Sequence, residues 1–488
     1  MATSATMAIR PRTRAAEGAE GGAARRTAGP PLRDRLLPWC LAAVLFAGYG
    51  GFSVRRHQLL RTSGYDLGIF EQAVRGYAHG GAPVAALKGY GFNLMGDHFS
   101  PVLAVLAPVY RLFPSAVTLL LAQAALLAVA VVPLSRWARE QLGSRAALVV
   151  GAGYGGSWGI ASTLGFDFHE VAFAVPLVAF SVVALGERRW LAAVLWAAPL
   201  VLVKEDLGIT VAVIGGYAWW RGERRLGPAA VAFGVLASAL EVGVLLPVFS
   251  PSHSYAYWDS AAGGSAHHGW GRLLAIPGEL VLPLEKEHLL LYLLLPTALL
   301  AVRSPLALIG VPTLLWRLLS SNPLYWDTRY HYSAVLMPIA FAAFVDALVR
   351  LRERPARWWP RPRWFLAASL AVTLVLIPVF PFSQLGGAGF WTTPPHVRAV
   401  RSVLRAIPSG ARVAATNQLV PQLTNRCTVV EFGWPEGWWT VDWIVVDQQR
   451  PKSWPISGAE QQKELSDARA AGFRTVRDDQ GVLLLHRP

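Results

Sequence analysis

Five loops of the chain carry side chains of the types that serve as acids, bases or ligands of an anion. Their polar segments are 65–72 and 96–101 in the first loop, then 165–170, 204–206, 253–268 and 325–332. Carboxylates and imidazoles transfer protons, whereas lysine and arginine bind anionic groups such as phosphate. If the fold gathers these loops at one end, they predict a site where a carboxylate base lies beside a phosphate.

Spacing within the first loop indicates where helices begin. Asp66 and Glu71 are five positions apart and do not share a helix face, so Asp66 is expected to begin a helix on which Glu71 lies one turn along. Asp97 and His98 precede Pro101, which suits the first turn of a second helix. Helix starts also bind anions through their free N–H groups. Taken singly, each charged residue also fits a structural role as a helix cap, a solvated charge or half of an ion pair.

The composition assigns these loops to a membrane protein. Of 488 residues, 53% are hydrophobic and 15% are charged, against about 25% charged residues in a typical soluble domain. These values exclude an ordinary soluble enzyme and, for most of the chain, disorder. The net charge of +15 is attributed to cytoplasmic loops rather than to nucleic-acid binding, because no basic stripe carries interleaved aromatic residues. Cys40 and Cys427 are expected at different depths, so no disulfide is predicted.

Eleven apolar runs predict an all-α polytopic membrane protein with about 11 transmembrane helices. They are 36–54, 116–134, 146–163, 171–186, 190–203, 207–220, 228–249, 288–302, 304–320, 332–349 and 364–382. Several are shorter than the roughly 20 residues of a perpendicular helix, so tilted packing or a locally thinned bilayer is expected. With the N-terminus cytoplasmic, the inside segments hold 22 Lys+Arg and the outside loops 10, while Arg317 lies inside an apolar run. This bias predicts a plasma-membrane protein with an extracytoplasmic C-terminus.

Three regions follow from this layout. Residues 1–35 are predicted to be a disordered cytoplasmic tail, 36–382 a transmembrane domain with a large first outer loop at 55–115, and 383–488 a small extracytoplasmic α/β domain. Strand-like runs in the last region lie at 411–415, 427–432, 443–446 and 482–485, and helix-like stretches at 395–406 and 459–471. Within the membrane region, 190–220 is predicted to be a helical hairpin and 98–113 an amphipathic segment along the membrane surface.

The motifs at 65–72, 96–101, 168–170 and 204–208 resemble those of a bacterial family of predicted membrane proteins, a domain of unknown function, over roughly 40–350. The wider layout is similar to that of the C-type (GT-C fold) glycosyltransferases, such as the protein mannosyltransferases and the lipid A aminoarabinose transferases. This resemblance implies a GT-C-like fold. It also implies that a sugar moves from a polyprenyl-phosphate donor in the membrane lipid to an unknown acceptor on the outer face, without nucleic acid as a partner.

Carried over to this chain, the resemblance makes Asp66 the catalytic base, with Asp97 and His98 orienting the acceptor. It makes Lys204 and Arg329 the ligands of the leaving phosphate. Related enzymes often carry paired acidic residues where this chain has Tyr65-Asp66-Leu67, so one carboxylate carries the base role. No cofactor is predicted, and a divalent metal on Asp66, Asp97 and His98 stays an alternative. Further candidates for binding substrate in the same pocket are Tyr65, Glu71, Asp167, His169, Glu170, Glu205 and His331.

Two other functions stay open. A transporter or lipid flippase is favoured by Glu241, which lies within an apolar run, and by the short charged hairpin at 190–220, which is typical of broken transporter helices. The third hypothesis is a non-catalytic membrane assembly protein that presents the region 383–488. Transport predicts polar residues along the whole membrane depth, whereas assembly predicts that the loop motifs tolerate substitution.

Overall fold

The first helix, α1 (Leu32–Gln58), is long and apolar. This computed structural model describes residues 32–257, 270–353, 361–434, 437–449 and 454–488. Residues 1–31 of the predicted cytoplasmic tail lie outside these ranges, and residues 32–35 belong to α1. The helix ends with Arg55, Arg56 and His57, and the positive charge of the two arginines complements the partial negative charge of a helix C-terminus.

Further helices follow the predicted apolar runs, with short 3-10 turns between several of them. They are α2 Ile69–Ala78, α3 Ala107–Leu112, α4 Ala116–Val129, α5 Val131–Leu142, α6 Ser144–Gly155, α7 Trp158–Gly165, α8 Ala174–Gly186, α9 Trp190–Ala197, α10 Leu207–Trp220, α11 Leu226–Leu240, α12 Leu246–Phe249, α13 Trp270–Val281, α14 Glu285–Leu294, α15 Val311–Leu319, α16 Pro323–Trp326, α17 Leu336–Glu353 and α18 Pro362–Leu376. The C-terminal region adds α19 Ala388–Trp391, α20 Pro395–Leu404 and α21 Gly458–Ala470.

Within the described ranges, four helical stretches are long and apolar enough to cross a membrane. They are Arg35–Gln58, Ala116–Leu142, Leu226–Phe249 and His331–Glu353. Other predicted spans coincide with shorter helices, partly because proline interrupts them. Pro199 and Pro305 each lie at the start of a 3-10 turn, where the ring removes a backbone donor. The predicted helical architecture is thus confirmed, while the number of eleven spans stays a prediction.

Helices α10 and α11 pack with their backbones nearly in contact. A Cβ atom on Gly208 would collide with the carbonyl of Gly234 and the hydroxyl of Ser238. Small residues permit such a close approach between membrane helices. Ser238 also donates a hydrogen bond of 2.6 Å to the carbonyl of Glu205. The packing therefore holds the tip of the predicted hairpin against α11.

The C-terminal region forms a five-stranded sheet of order β2-β1-β3-β5-β4, which confirms the small predicted sheet. β1, β2 and β3 run parallel, and β5 pairs antiparallel with β3 and β4. Val413 and Val445 pack into the core shared with the helices, whereas Ile444 and Leu485 pack beneath Leu465 of α21. Both faces of the sheet are therefore covered. The strands are β1 Arg412–Ala415, β2 Thr428–Glu431, β3 Trp443–Asp447, β4 Arg474–Asp479 and β5 Val482–His486.

This sheet region docks on the first loop through backbone groups. Asn417 accepts a hydrogen bond from the backbone N–H of Tyr65 at 3.1 Å with its side chain, and one from Gly64 at 2.7 Å with its carbonyl. On α2, Gln72 donates to the carbonyl of Val429 at 2.7 Å. The turn that carries Asp66 is therefore held by the C-terminal region as well as by the helices.

Glu71 of α2 is wholly buried in this docking interface. It accepts hydrogen bonds from the hydroxyl of Tyr110 at 2.9 Å and from the hydroxyl of Thr424. Burial raises the pKa of Glu71 to about 7, although both hydrogen bonds act in the opposite direction. The predicted substrate-binding residue therefore lies between α2, α3 and the sheet region.

Replacing Glu71 with glutamine is expected to flatten the pH dependence of stability. The folded protein holds the Glu71 proton up to a pH of about 7, whereas the unfolded chain releases it near about 4.3. Because the folded state binds the extra proton between these values, it loses up to about 3 kcal/mol of stability as pH rises through this window. Thermal unfolding measured at about pH 5 and about pH 8 should therefore differ less for Glu71→Gln than for the wild type. An identical difference in both proteins would contradict a buried protonated carboxyl group.

Candidate functional site

Four loop segments meet at the end of the bundle where α1 and α7 finish. The turn of Gly64–Gly68 leads into α2, and the turn 166–169 links α7 to the 3-10 helix Glu170–Phe173. The hairpin tip 203–206 and the segment 250–257 after α12 complete the group. We call this region the polar end of the bundle.

One row of side chains, here called the Asp66–Lys204 chain, crosses this polar end. Asp66 Oδ2 lies 2.7 Å from His169 Nε2, and His169 Nδ1 lies 3.4 Å from Glu170 Oε2. Glu170 Oε1 then lies 3.5 Å from Lys204 Nζ. The Glu170 side chain is 1% exposed and that of Lys204 14%, whereas that of Asp66 is 26% exposed. The Asp66 carboxylate is therefore the end of the chain that solvent or a substrate reaches most readily.

The imidazole of His169 is charged near neutral pH. Burial alone would lower its pKa, but Asp66 and Glu170 together raise the pKa of His169 to about 9. A protonated ring donates from both nitrogens, which suits a histidine placed between two carboxylates. The His331 ring stacks on it with centroids 3.4 Å apart, and Phe166 lies 5.8 Å away. These contacts fix the plane of the ring that orients Asp66.

Lys204 keeps its ammonium charge in spite of burial. Burial lowers its pKa, but Glu170, Glu205 and Asp206 more than offset this effect and raise the pKa above its ordinary value. Asp206 behaves differently, because burial raises its pKa to about 6 although Lys204 lies nearby. The hairpin tip thus supplies one permanent positive charge among several carboxyl groups.

A second row, the Lys88–Glu205 chain, runs beside the first. Lys88 Nζ lies 3.0 Å from Asp97 Oδ2, and the hydroxyl of Tyr257 donates to Asp97 Oδ1 at 2.8 Å. The His98 ring stacks on Tyr257 with centroids 4.8 Å apart. His98 Nδ1 reaches Glu205 Oε1 at 2.8 Å. The predicted residues Asp97, His98 and Glu205 are thus brought together by contacts that cross three loops.

The two rows influence each other electrostatically. Burial and the charge of Lys204 lower the pKa of His98, but Glu205 and Asp97 outweigh them and leave this pKa above its ordinary value. Burial would raise the pKa of Asp97, yet the charges of His98 and Lys88 bring it below the ordinary value. The polar end therefore carries alternating positive and negative groups rather than a single sign of charge.

Asp167 ties the scaffold together beside the first row. It accepts a hydrogen bond from the backbone N–H of Ser63 at 2.8 Å and lies 3.8 Å from Arg56 at the end of α1. Burial raises the pKa of Asp167 to about 6 although Arg56 opposes this shift. Asp167 thus anchors the start of the Asp66 turn.

Two predicted site residues are held by other contacts. The hydroxyl of Tyr65 donates to the carbonyl of Leu87 at 2.7 Å, and its ring meets Trp454 edge-on. Arg329, a predicted phosphate ligand, has a side chain that is 79% exposed and paired with Asp327 two residues before it. Its charge is therefore already matched by a neighbour on the same loop.

Pro101 begins a helix, as its position after Asp97 and His98 predicts, but those two residues lie outside its first turn. Asp97 follows the 3-10 turn Leu94–Gly96, and the next 3-10 helix begins only at Pro101. A proline disfavours helical geometry in the residue before it, and Ser100 has φ −131° and ψ 57°. The two residues reach the site from a short connector instead.

Lys88 and Tyr257 contribute to the polar end without having been assigned a role from the sequence. Neither composition nor spacing identifies Lys88, because its contact with Asp97 depends on how the first loop folds. Asp259, His267 and His268 of the same predicted loop lie outside the described residues.

In the part of the chain that the structure describes, no group of three or more His, Cys, Asp and Glu side chains has an arrangement suited to a metal ion. The three residues considered for a divalent metal each contact another side chain. Asp66 contacts His169, Asp97 contacts Lys88, and His98 contacts Glu205.

Comparison with known proteins identifies the family of the chain and a solved structure with a similar fold. A profile of the family described as predicted membrane protein (DUF2079) matches residues 56–484. The crystal structure of ArnT from Cupriavidus metallidurans bound to undecaprenyl phosphate has a similar fold, with a TM-score of 0.51 and 12% sequence identity over 91% of this chain and 97% of the ArnT chain. ArnT is a GT-C glycosyltransferase, so the predicted GT-C-like fold is confirmed. No curated protein sequence matches the chain.

Proposed function

Because the chain belongs to the DUF2079 family of predicted membrane proteins and has a GT-C-like fold, we propose that it is an integral membrane glycosyltransferase. The proposed donor is a sugar carried on polyprenyl phosphate, in line with the undecaprenyl phosphate bound to ArnT. The observation that carries the proposal is the Asp66–Lys204 chain. It joins a partly exposed carboxylate to a buried ammonium group through His169 and Glu170.

In the proposed reaction Asp66 is the general base. It takes the proton of an acceptor hydroxyl while the hydroxyl oxygen forms a bond to the anomeric carbon of the sugar. The bond between that carbon and the phosphate oxygen breaks, and the polyprenyl phosphate leaves with the electron pair. His169 orients the carboxylate through the 2.7 Å hydrogen bond, and the proton remains on Asp66 until solvent removes it.

The leaving phosphate needs positive charge beside it. Lys204 is the best candidate in the structure, because it remains an ammonium group at the same end of the bundle as Asp66. Lys88, whose side chain is 24% exposed, lies in the neighbouring row and adds a second charge. The resemblance implied that Arg329 also binds the leaving phosphate. That role is not part of this proposal, because the exposed guanidinium of Arg329 already pairs with Asp327.

Transport is the less favoured function. Glu241 is buried within α11 and the π-helical turn that follows it, and it interacts electrostatically with Glu205 and Asp206. The residue that motivated transport therefore lies near the polar end rather than at the opposite side of the membrane. We place the polar end outside the cell in this proposal, because the charge bias of the loops favours a cytoplasmic N-terminus.

Donor consumption tests the proposal. Purified protein in lipid nanodiscs is incubated with polyprenyl-phosphate monosaccharides and an acceptor-rich lysate, and free polyprenyl phosphate is followed by mass spectrometry. We expect release from at least one donor by the wild type and by Asp327→Asn, in which the changed carboxylate pairs with Arg329 two residues later. If no donor is consumed while the protein remains folded, sugar transfer is contradicted and the assembly hypothesis is favoured.

A further inference from the structure

An open groove runs along one exposed face of α1, outside the two rows of polar side chains. Residues of α1 between Phe46 and Gln58 form its floor, and Leu121 of α4 and Trp391 of α19 complete the lining. Its volume is about 450 Å³, within the range of small-molecule sites. No residue of either row lines this groove, so it is separate from the proposed site of transfer.

The length of the groove matches one leaflet of a lipid bilayer. Phe46 and Gln58 are 12 positions apart, which corresponds to about 18 Å of α-helix. Phe46 lies at the centre of the apolar stretch Arg35–Gln58, and half of a bilayer's hydrocarbon core measures about 15 Å. The groove therefore extends from the middle of the bilayer to the level of the headgroups. An acyl chain of a glycerophospholipid has this reach, whereas a polyprenyl chain is longer than one leaflet.

Two glycines leave the floor of the groove open. A Cβ atom on Gly51 would meet no atom within 4 Å, and one on Gly50 would come 3.0 Å from the side chain of Leu121. The space over α1 exists because neither position carries a side chain. A larger residue at Gly51 would occupy this space without colliding with the protein.

Three arginines lie at the mouth of the groove, where α1 ends. Arg55 donates to the hydroxyl of Thr393 at 3.3 Å, and Arg398 donates to the carbonyl of the same residue at 2.8 Å. Arg401 donates to the carbonyl of Gln58 at 2.7 Å, and Arg55 contacts the side chain of Gln58 at 3.4 Å. These shared partners hold the three guanidinium groups close to one another.

No nearby segment supplies a carboxylate to balance this charge. The sequence contains no Asp or Glu in residues 35–65 or 354–430, the two segments that provide the arginines. Within the described ranges, Arg55, Arg398 and Arg401 form no ion pair. Arginine binds phosphate through paired N–H groups. Trp391 is 65% exposed beside them, and tryptophan is enriched at the depth of lipid headgroups.

We propose that this groove binds an anionic glycerophospholipid, with its phosphate on Arg55 and Arg401 and one acyl chain over Gly50 and Gly51. Basic pockets between membrane helices bind anionic headgroups in the same way. The lipid joins α1 to α19 and α20 at the membrane surface and thereby stabilises the docking of the C-terminal region. The inference does not depend on sugar transfer, because neither Asp66 nor its partners belong to the groove.

Lipid binding is measured on the full-length protein in detergent. Phosphatidylglycerol and phosphatidylcholine with the same acyl chains are titrated separately, bound lipid is counted by native mass spectrometry, and thermal unfolding is followed in parallel. We expect saturable binding of phosphatidylglycerol, weaker binding of phosphatidylcholine, and a higher unfolding temperature with phosphatidylglycerol. Arg401→Gln should lower the affinity for phosphatidylglycerol about tenfold, a typical loss for a hydrogen bond between charged groups. Polyprenyl phosphate should bind in addition to phosphatidylglycerol without displacing it.

Gly51→Leu should lose the binding while it remains folded, because the new side chain fills the groove and leucine favours a helix more than glycine does. Gly48→Leu is the matched control, since Gly48 also lies on α1 beside open space but does not line the groove. Arg469→Gln on α21 controls for the loss of one charge. Both controls should bind phosphatidylglycerol as the wild type does.

Three results would overturn the proposal. They are equal affinity for the two phospholipids, equal affinity of Gly51→Leu and the wild type, and displacement of phosphatidylglycerol by polyprenyl phosphate. A rise in unfolding temperature that inorganic phosphate alone reproduces in full would also overturn it, because the acyl chain would then contribute nothing. None of these measurements involves donor consumption, so failure of this proposal is distinguishable from failure of the proposed transfer.

Discussion

Sugar transfer by Asp66→Asn is expected to fall by about 10²–10⁴-fold, the usual contribution of a positioned general base. Asparagine has nearly the same shape and can still accept the hydrogen bond from His169. It cannot take the proton of an acceptor hydroxyl at working pH. The effect should therefore appear in the maximal rate, while donor affinity and the thermal unfolding temperature remain close to those of the wild type.

The measurement is the release of polyprenyl phosphate in nanodiscs at saturating donor. Asp327→Asn is the matched control, because it makes the same chemical change at an exposed ion pair with Arg329. Equal rates for Asp66→Asn and the wild type would remove Asp66 from the reaction. The same loss in Asp327→Asn would show that the assay reports general damage to the polar end.

The second large effect is on stability. Lys204→Met is expected to destabilise the fold by about 3 kcal/mol, because it removes one partner of a largely buried ion pair and leaves Glu170 with only His169 as a positive neighbour. Glu170 and Glu205 are both almost wholly buried beside Lys204. The transition should be followed as thermal unfolding in detergent at neutral pH.

A double variant tests whether Glu170 is the group that loses its partner in Lys204→Met. Combining Lys204→Met with Glu170→Gln removes both partners of the 3.5 Å pair, so part of the lost stability should return. Lys463→Met is the control, since Lys463 pairs with Asp467 on the exposed face of a helix and such surface pairs contribute little to stability. A double variant no more stable than Lys204→Met would mean that Glu170 is not the group left uncompensated.

Helices and strands with a buried face were predictable from the sequence, and one exposed strand was not. The runs 411–415, 427–432, 443–446 and 482–485 coincide with β1, β2, β3 and β5. β4 was missed because its residues, from Arg474 to Asp479, are exposed or half-exposed and mostly charged. Such a strand has no alternation of apolar and polar residues, so only pairing with β5 reveals it.

The members of the candidate site were predictable as loop motifs, but their partners were not. Asp66 and His169 are 103 positions apart, and His98 and Glu205 are 107 apart. Neither composition nor periodicity specifies which of several acidic loops meets which histidine. The same limit explains why the position of Glu71 was not predictable. Glu71 lies about one helical turn from Asp66 in the sequence, yet it packs against Thr424, 353 positions later.

The docking of Asn417 on Gly64 and Tyr65 also governs when the site can form during synthesis. A chain that has reached only the last membrane helix has Asp66 but lacks Asn417, one of the residues that hold its turn, which follows 352 positions after Tyr65. The turn that carries Asp66 therefore acquires its full set of contacts only when the C-terminal region has folded against it.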